Sequence, residues 1–345
     1  MKQYLLPENG TFYKANMHMH TNISDGKMTP EDTKRVFKEK GYSIVAFTDH
    51  EVLTPHNDLA DEDFLPITSY EVNRGDRWPE AFSYTHCYHF NLYAKNKNAD
   101  VSSVFGEKYF WGAIQQGKEF ISEECAKISY SRHYSVEGMN DLIRRANEDG
   151  FLVCYNHPVW SGQRYPDYAG LKGLWGIEVF NSGCNRGGYL ENSQPFDDLL
   201  HMNESPFPIA ADDAHGEPGC GHGWIQVKAD ALEYDTVMGA LERGDFYAST
   251  GPEIHELYIE NGVVHIETSE VREIFLRTER RFTCWARENG STPLTGADFN
   301  ISSYIEGSKN EPAMRYRPWF RFEVVDKNGK IAYTRAYFVD ELSEA

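Results

Sequence analysis

The sequence predicts an α/β barrel of seven strands followed by an all-β domain, over a chain of 345 residues. Three observations carry that expectation. Residues 12 to about 250 alternate short apolar runs with amphipathic segments, as βα units around a parallel sheet or barrel do. After about Gly251 the strand-like runs are broken by turn signals, and no segment reads as a helix. The length also exceeds what one hydrophobic core usually serves, so a barrel over residues 1–250 and a β-sandwich over 251–345 are expected.

The barrel strands are read at Phe12 to Met19, Ser43 to Thr48, Leu65 to Tyr70, Tyr88 to Ala94, Phe151 to Tyr155, Gly176 to Phe180 and Phe207 to Ala211. The first helix is marked by its ends. Thr29 can cap it, Pro30 suits its first position, Asp32 stands where a capping-box acid would, and Gly41 stops it. A second runs from Ser135 to Gly150, with Val136, Met139, Leu142, Ile143 and Ala146 forming a packing stripe. In the second part, Ile254 to Ile259 and Val263 to Thr268 flank Asn261-Gly262, a type I′ hairpin signal. Glu273 to Arg277, Phe282 to Ala286, Phe299 to Ile305, Trp319 to Val325 and Ile331 to Phe338 read as further strands, with a turn at Asp326 to Gly329.

Composition narrows the function. No apolar run approaches the roughly 20 residues of a membrane span, and the N-terminal segment lacks a secretory pattern, so a cytoplasmic protein is expected. Six cysteines without a C-x-x-C pair read as reduced thiols. A net charge of -19 disfavours nucleic acid as a partner and favours a small substrate, because polyanion binding rests on neutralising phosphates.

The chemistry-bearing residues gather where strands end. His18 and His20 alternate at the end of the first strand, so both imidazoles face one side. Asp25 follows in the turn Ser24-Asp25-Gly26, and Asp49-His50 closes the second strand. Glu71 follows the third strand, His89 lies on the fourth, and Asn156-His157-Pro158 and Asp212-Asp213-Ala214-His215 follow the fifth and the seventh. A parallel barrel gathers such residues around one mouth. Imidazoles and carboxylates converging there unpaired would cost several kcal/mol each, and divalent cations relieve that cost.

The string Asn16-Met17-His18-Met19-His20-Thr21, then Ser24-Asp25-Gly26, Thr29-Pro30-Glu31, Gly41-Tyr42, Thr48-Asp49-His50, Glu71, His89, His157-Pro158 and Asp213-Ala214-His215, resembles the PHP (polymerase and histidinol phosphatase) family over residues 12 to about 250. The resemblance implies a distorted seven-stranded barrel of the TIM type holding three metals. It places His18, His20, Glu71 and Asp213 on one ion, and His89 and His157 on a second that shares Glu71. Asp25, His50 and His215 fall to the third. Such nitrogen and carboxylate donors suit Zn, Mn or Fe. His86 is the reserve for His89, and Asp212, where the family commonly has Ser, is expected beside the ligands.

The reaction so implied is hydrolysis of a small phosphate ester, a monoester or a diester, by hydroxide that the metals generate from water. Arg186, in the loop after the sixth strand, is the candidate phosphate clamp, and His222 the candidate acid for the leaving group. His56, His133, His201, His255 and His265 match no motif and read as structural or exposed. A nuclease acting on oligonucleotides is the enzymatic alternative. The other is a noncatalytic protein that binds metal or ligand, which retention of a complete ligand set argues against.

Overall fold

The computed structural model describes residues 2–77, 85–290, 292–310 and 316–342. Its strands are β1 (Gln3–Tyr4), β2 (Thr11–Asn16), β3 (Ile44–Phe47), β4 (Leu65–Gly75), β5 (Cys87–Ala94), β6 (Phe151–Tyr155), β7 (Gly176–Asn181), β8 (Phe207–Ala211), β9 (Trp224–Ala229), β10 (Phe246–Ser249), β11 (Ile254–Glu260), β12 (Val263–Val271), β13 (Glu273–Thr278), β14 (Thr283–Arg287), β15 (Leu294–Asn300), β16 (Trp319–Val325), β17 (Ile331–Tyr333) and β18 (Tyr337–Phe338). The helices are α1 (Pro30–Glu39), α2 (Val136–Glu148), α3 (Tyr165–Tyr168), α4 (Ser182–Arg186), α5 (Gln194–His201), α6 (Tyr234–Arg243) and α7 (Ser302–Asn310).

Local chemistry explains the first two long helices. Thr29 Oγ1 accepts from Asp32 N at 3.1 Å, with Pro30 at the first position, so α1 starts where the capping signals stand. Ser135 Oγ accepts from Gly138 N to start α2, which buries Met139, Leu142, Ile143 and Ala146 against the sheet.

One mixed sheet of 14 strands dominates, in the order β14-β13-β16-β17-β10-β9-β2-β3-β4-β5-β6-β7-β8, with β18 on β16. The expectation of an all-parallel ring fails at two places. Strand β5 runs antiparallel to both β4 and β6. The link from β4 to β5 spans residues 76–86, fewer than the dozen or so that a parallel crossover takes. Strands β9 and β10, absent from the sequence reading, then add antiparallel at the edge of β2. No ladder joins β8 back to β2 or β9 among the described residues, so the hydrogen-bonded sheet stays open. Beyond the strand ends a single parallel bridge pairs Met19 with Ala214.

A second sheet, β1-β11-β12-β15, lies against the far end of the large one. Ile254, Leu257 and Ile266 from it share a core with Ile274, Phe320, Phe322 and Val324. The hairpin at Asn261-Gly262 has positive φ at both residues, 50° and 74°, as its turn type requires. The strand expected over Phe299 to Ile305 ends instead at Asn300 and gives way to α7, which corrects the reading of this region as free of helix. Buried Ile301, Tyr304, Ile305 and Ser308 follow the helical period that overrides the β-branched run.

Strand β16 is tied to α5 by Arg321, which is fully buried. Its guanidinium donates to both oxygens of Asp197 on α5 at 2.7 and 2.8 Å and pairs with Glu323 at 2.8 Å. All six cysteines are unpaired, and none of the described helices is long and apolar enough to cross a membrane. Arg321→Ala leaves Asp197 without its cation and Glu323 with Arg277 alone, so we expect a loss of about 3 kcal/mol in unfolding free energy, read from the urea midpoint.

Candidate metal centre

The rim is built from extended backbone. After β2 the chain continues through His18-Met19-His20, with His20 N donating to Ala214 O and Asp213 N to His18 O. Met17 and Met19 point into cores while both imidazoles share the opposite side, and their Nε2 atoms stand 3.1 Å apart. Asp25 is placed by a turn fastened on Asp49, whose carboxylate accepts from the amides and hydroxyls of Thr21 and Ser24 at 2.7 to 3.2 Å. Gly26 is required there, since a Cβ would lie 2.1 Å from His20 O. His50 and Glu71 meet through a parallel bridge. His89 reaches the same rim because β5 is reversed, so its beginning faces the end of β4.

Glu71 occupies the middle. Its Oε1 lies 3.0 Å from His89 Nδ1, 3.4 Å from His157 Nε2 and 3.5 Å from His18 Nε2. Its Oε2 lies 3.0 Å from His50 Nδ1 and 3.5 Å from His20 Nε2. Asp213 Oδ1 stands 3.4 Å from His18 Nε2 and 3.2 Å from His20 Nε2, and Asp25 Oδ1 stands 3.5 Å from His215 Nε2. Four groups of donors result, each within 4.8 Å: His20, Asp25, His50 and His215; His18, Glu71 and His157; His18, His20 and Asp213; His50, Glu71 and His89. Together they bring in all nine of the residues named from the sequence as metal donors. His86 lies apart, exposed and paired with Asp76 at 3.3 Å.

These donor sets fit divalent cations. Donors held about 2.0–2.1 Å from a tetrahedral ion stand about 3.3 Å from one another, close to the 3.1 to 3.5 Å among His18, His20, Glu71 and Asp213. The outer ring nitrogens are engaged as ligands' usually are. His18 Nδ1 donates to Glu178 at 2.7 Å and His215 Nδ1 to Asp213 O at 3.2 Å, which leaves each Nε2 lone pair aimed inward, and His157 Nδ1 stands 3.1 Å from Ser161 Oγ. Buried His20 Nδ1 and His89 Nε2 have no hydrogen-bond partner, and His50 Nδ1 faces Glu71 Oε2 at 3.0 Å without hydrogen-bond geometry.

Electrostatics show the same demand for positive charge. Burial opposes ionisation of Glu71, yet His89, His50 and His18 hold it well below the usual carboxylate range. Asp213 is depressed against its burial by His18, His20 and His215. Burial would discharge His18, but Asp213, Glu71 and Glu178 raise it well above an ordinary imidazole. His215 is raised to about 9 against burial by Asp25 and Asp213, whereas burial, His215 and His50 push His20 down to about 4.

Several supporting residues were not foreseen. Glu178, buried in the apolar run of β7, accepts from His18 Nδ1, from His157 N at 3.0 Å and from Asn181 Nδ2 at 2.8 Å. Its only sequence signal is an acid inside a buried strand. Asn156 donates to Glu71 Oε1 at 2.8 Å. Glu51, directly after His50, takes both Arg132 guanidinium branches at 2.6 and 2.7 Å, with both side chains buried. Non-glycine positive φ recurs here, at Glu51 (62°), His157 (29°) and Asp213 (50°).

Asp212 departs from its expected place beside the ligands. Its carboxylate instead accepts from the amides of Gly221, His222 and Gly223 at 2.7 to 2.9 Å, and burial still raises it to about 6. Arg186 ends α4, exposed, in a cleft of about 500 Å³ that Lys27, Asp213 and His215 also line. Its Nη1 donates to Pro218 O at 2.8 Å. His222 lies outside all four donor groups and outside that cleft lining, with its exposed ring Nε2 3.3 Å from the same carbonyl. The geometry therefore gives no support to His222 as the acid for the leaving group.

Glu191, also buried, accepts from Val159 N at 3.0 Å and Trp160 N at 2.8 Å, which fixes the loop after His157. Burial raises its carboxyl to about 7 despite those amides. A raised acid stabilises the fold below its unfolded pKa and loses that contribution as pH climbs through the folded value. Wild type should therefore lose up to about 3 kcal/mol relative to Glu191→Gln between pH 4.5 and 8, measured by urea unfolding of both proteins.

No protein-family model matches the chain, and no curated protein matches it. Among solved structures it is similar to a two-domain protein of Bacteroides vulgatus containing a predicted PHP-like metal-dependent phosphoesterase, at 17% identity and TM-score 0.46, over 97% of this chain and 98% of that one. It is also similar to the lesion-specific endonuclease PfuEndoQ of Pyrococcus furiosus (14% identity, TM-score 0.40, 68% and 56% of the two chains). A third is an amidohydrolase of Chromobacterium violaceum (13% identity, TM-score 0.40, 67% and 96%). A structure described as containing a predicted PHP-like metal-dependent phosphoesterase is thus among those the chain is similar to.

Proposed function

We propose that the protein is a metal-dependent hydrolase of small phosphate esters. The observation that carries this reading is the meeting of nine His, Asp and Glu donors in four overlapping groups at one rim. Three divalent ions, Zn, Mn or Fe, would be held by His18, His20, Glu71 and Asp213, by His89, His157 and Glu71, and by Asp25, His50 and His215. Bound there, such ions supply an acidified water and neutralise phosphoryl oxygens. In this reading the open sheet, bridged at Met19 and Ala214, is a distorted barrel over residues 1–250, and the two-sheet unit over 251–345 is an accessory sandwich.

The chain's own groups do the rest. Glu178 keeps His18 in the tautomer whose Nε2 faces inward, and Ser161 stands beside His157 Nδ1. Arg186 and Lys27 flank the cleft at Asp213 and His215, where they meet an anionic group as it enters. Trp111 and Trp160 stand against His50 and His157 at ring distances of 4.9 and 5.0 Å and limit water on the other side.

Three outcomes test this. Protein reconstituted with Mn, Zn or Fe hydrolyses p-nitrophenyl phosphate or its bis-ester, and His18→Ala or Asp213→Ala removes at least about 100-fold of kcat/KM. Inactivity of the wild type with every metal would overturn the hydrolase reading in favour of a binding protein. Glu178→Gln keeps the ligands but loosens His18, so metal affinity by competition with a chelator should fall about 10–100-fold.

A further inference from the structure

Glu51 holds a backbone conformation that suits glycine. Its φ of 62° is left-handed, and glycine adopts that conformation without the penalty a Cβ brings. A position set by the turn alone would favour glycine, so the carboxylate has a task of its own. It is fully buried and accepts from Arg132 Nη1 and Nη2 at 2.6 and 2.7 Å and from Asn73 N at 3.2 Å. Glu51 N donates in turn to Glu71 O at 2.8 Å. The residue directly after His50 is thus bonded to β4 both at Glu71 and two residues beyond it.

Arg132 comes from another part of the chain. Residues 95–135 link β5 to α2 with short 3-10 turns and no strand or α-helix, and connections of such length are uncommon and usually functional. This one packs Phe105, Phe110 and Ile114 on Ile23 and Val52, which lie two residues from Asp25 and His50 respectively. Its Trp111 rests against the His50 ring at 4.9 Å. Arg132, near the end of the link, is buried with its guanidinium 4.1 Å from the Tyr109 ring. Nη1 also donates to Asn73 O at 2.9 Å and Nη2 to Val104 O at 3.0 Å. One guanidinium therefore meets Glu51, β4 and the connecting segment at once.

Replacing a buried ion pair by apolar side chains often leaves stability unchanged, so such a pair points to a demand for one fixed arrangement. We infer that Arg132 is a positioning residue of the metal centre. Through Glu51 it holds His50 and Glu71 in register, with Nδ1 and Oε2 3.0 Å apart, and it seats the 95–135 segment over them. This inference rests on the metal-dependent reading and adds to it the group that aligns two of the donors.

The test is calorimetric titration of the metal-free full chain with Mn²⁺, beside urea unfolding of the same metal-free protein. A double variant, Glu51→Met with Arg132→Met, removes both charges together, leaves neither unpaired and keeps a Cβ at position 51. Its urea midpoint is expected to stay close to that of the wild type while Mn²⁺ affinity falls at least about ten-fold. Arg132→Lys keeps the charge but loses the two-pronged contact, and should lower Mn²⁺ affinity about three-fold or more. Unchanged Mn²⁺ affinity in the double variant, whatever its urea midpoint, marks a merely structural pair, overturns the positioning role and leaves the metal reading standing. If the double variant does not fold, Arg132→Lys decides, and wild-type affinity there overturns the role. A wild type that binds no Mn²⁺, Zn²⁺ or Fe²⁺ overturns both.

Discussion

Glu71 is the constraint on which the rest of the rim depends. It is a fully buried carboxylate with the ring nitrogens of five histidines, His18, His20, His50, His89 and His157, at 3.0 to 3.5 Å. An isolated ion in that position would be untenable, so positive charge has to come to it. Within the protein alone, protons on imidazoles provide it, which is why His18 and His89 are raised against their burial. Divalent cations do the same with donors that need not be protonated, and the inward lone pairs are set for them.

Holding so many like groups together strains the backbone, and the strain is restrained locally. Glu51, His157 and Asp213 adopt positive φ, a conformation that side chains with a Cβ disfavour. Each is fastened by a neighbour: Glu51 by Arg132, His157 N by Glu178, and the Asp213 carboxylate by Asn181 Nδ2 at 3.2 Å. The acids Asp49, Glu178, Glu191 and Asp212 all accept backbone N–H groups at or behind the rim. Part of the chain's acidity is therefore internal scaffolding, which weakens the argument from net charge about what the surface repels.

The donor residues were legible because their spacing is local: His18 and His20 differ by one pleat, and Asp213 and His215 lie in one turn. The first helices were legible through their caps. What was missed depends on long-range pairing. Nothing in the run Gly176 to Asn181 says that Glu178 faces His18, 160 residues earlier, because a lone acid in an apolar run reads the same whether it is satisfied or not. The reversal of β5 is set by a short connection rather than by strand composition. α7 was hidden by Ile301 and Ile305, whose β-branched side chains suggest a strand until the spacing of Tyr304 and Ser308 is counted.

The C-terminal sheets bear on the rim through particular contacts. β1 pairs with β11, and Leu5 and Leu6 lie in the second core, so the strand that leads to His18 is anchored there. From β16, Arg321 grips Asp197, and Glu323 accepts from Ser193 Oγ at 3.0 Å. Ser193 comes two residues after Glu191 and ends the loop that starts at Arg186. That loop contributes the cation at the cleft, the exposed Tyr189 and Leu190, and the carboxylate that fixes Trp160. A unit without donors of its own in the centre thus holds the segment whose Arg186 and Gly187 line the cleft at Asp213 and His215, so changes at Arg321 or Ser193 would act on that cleft before they act on the His, Asp and Glu cluster.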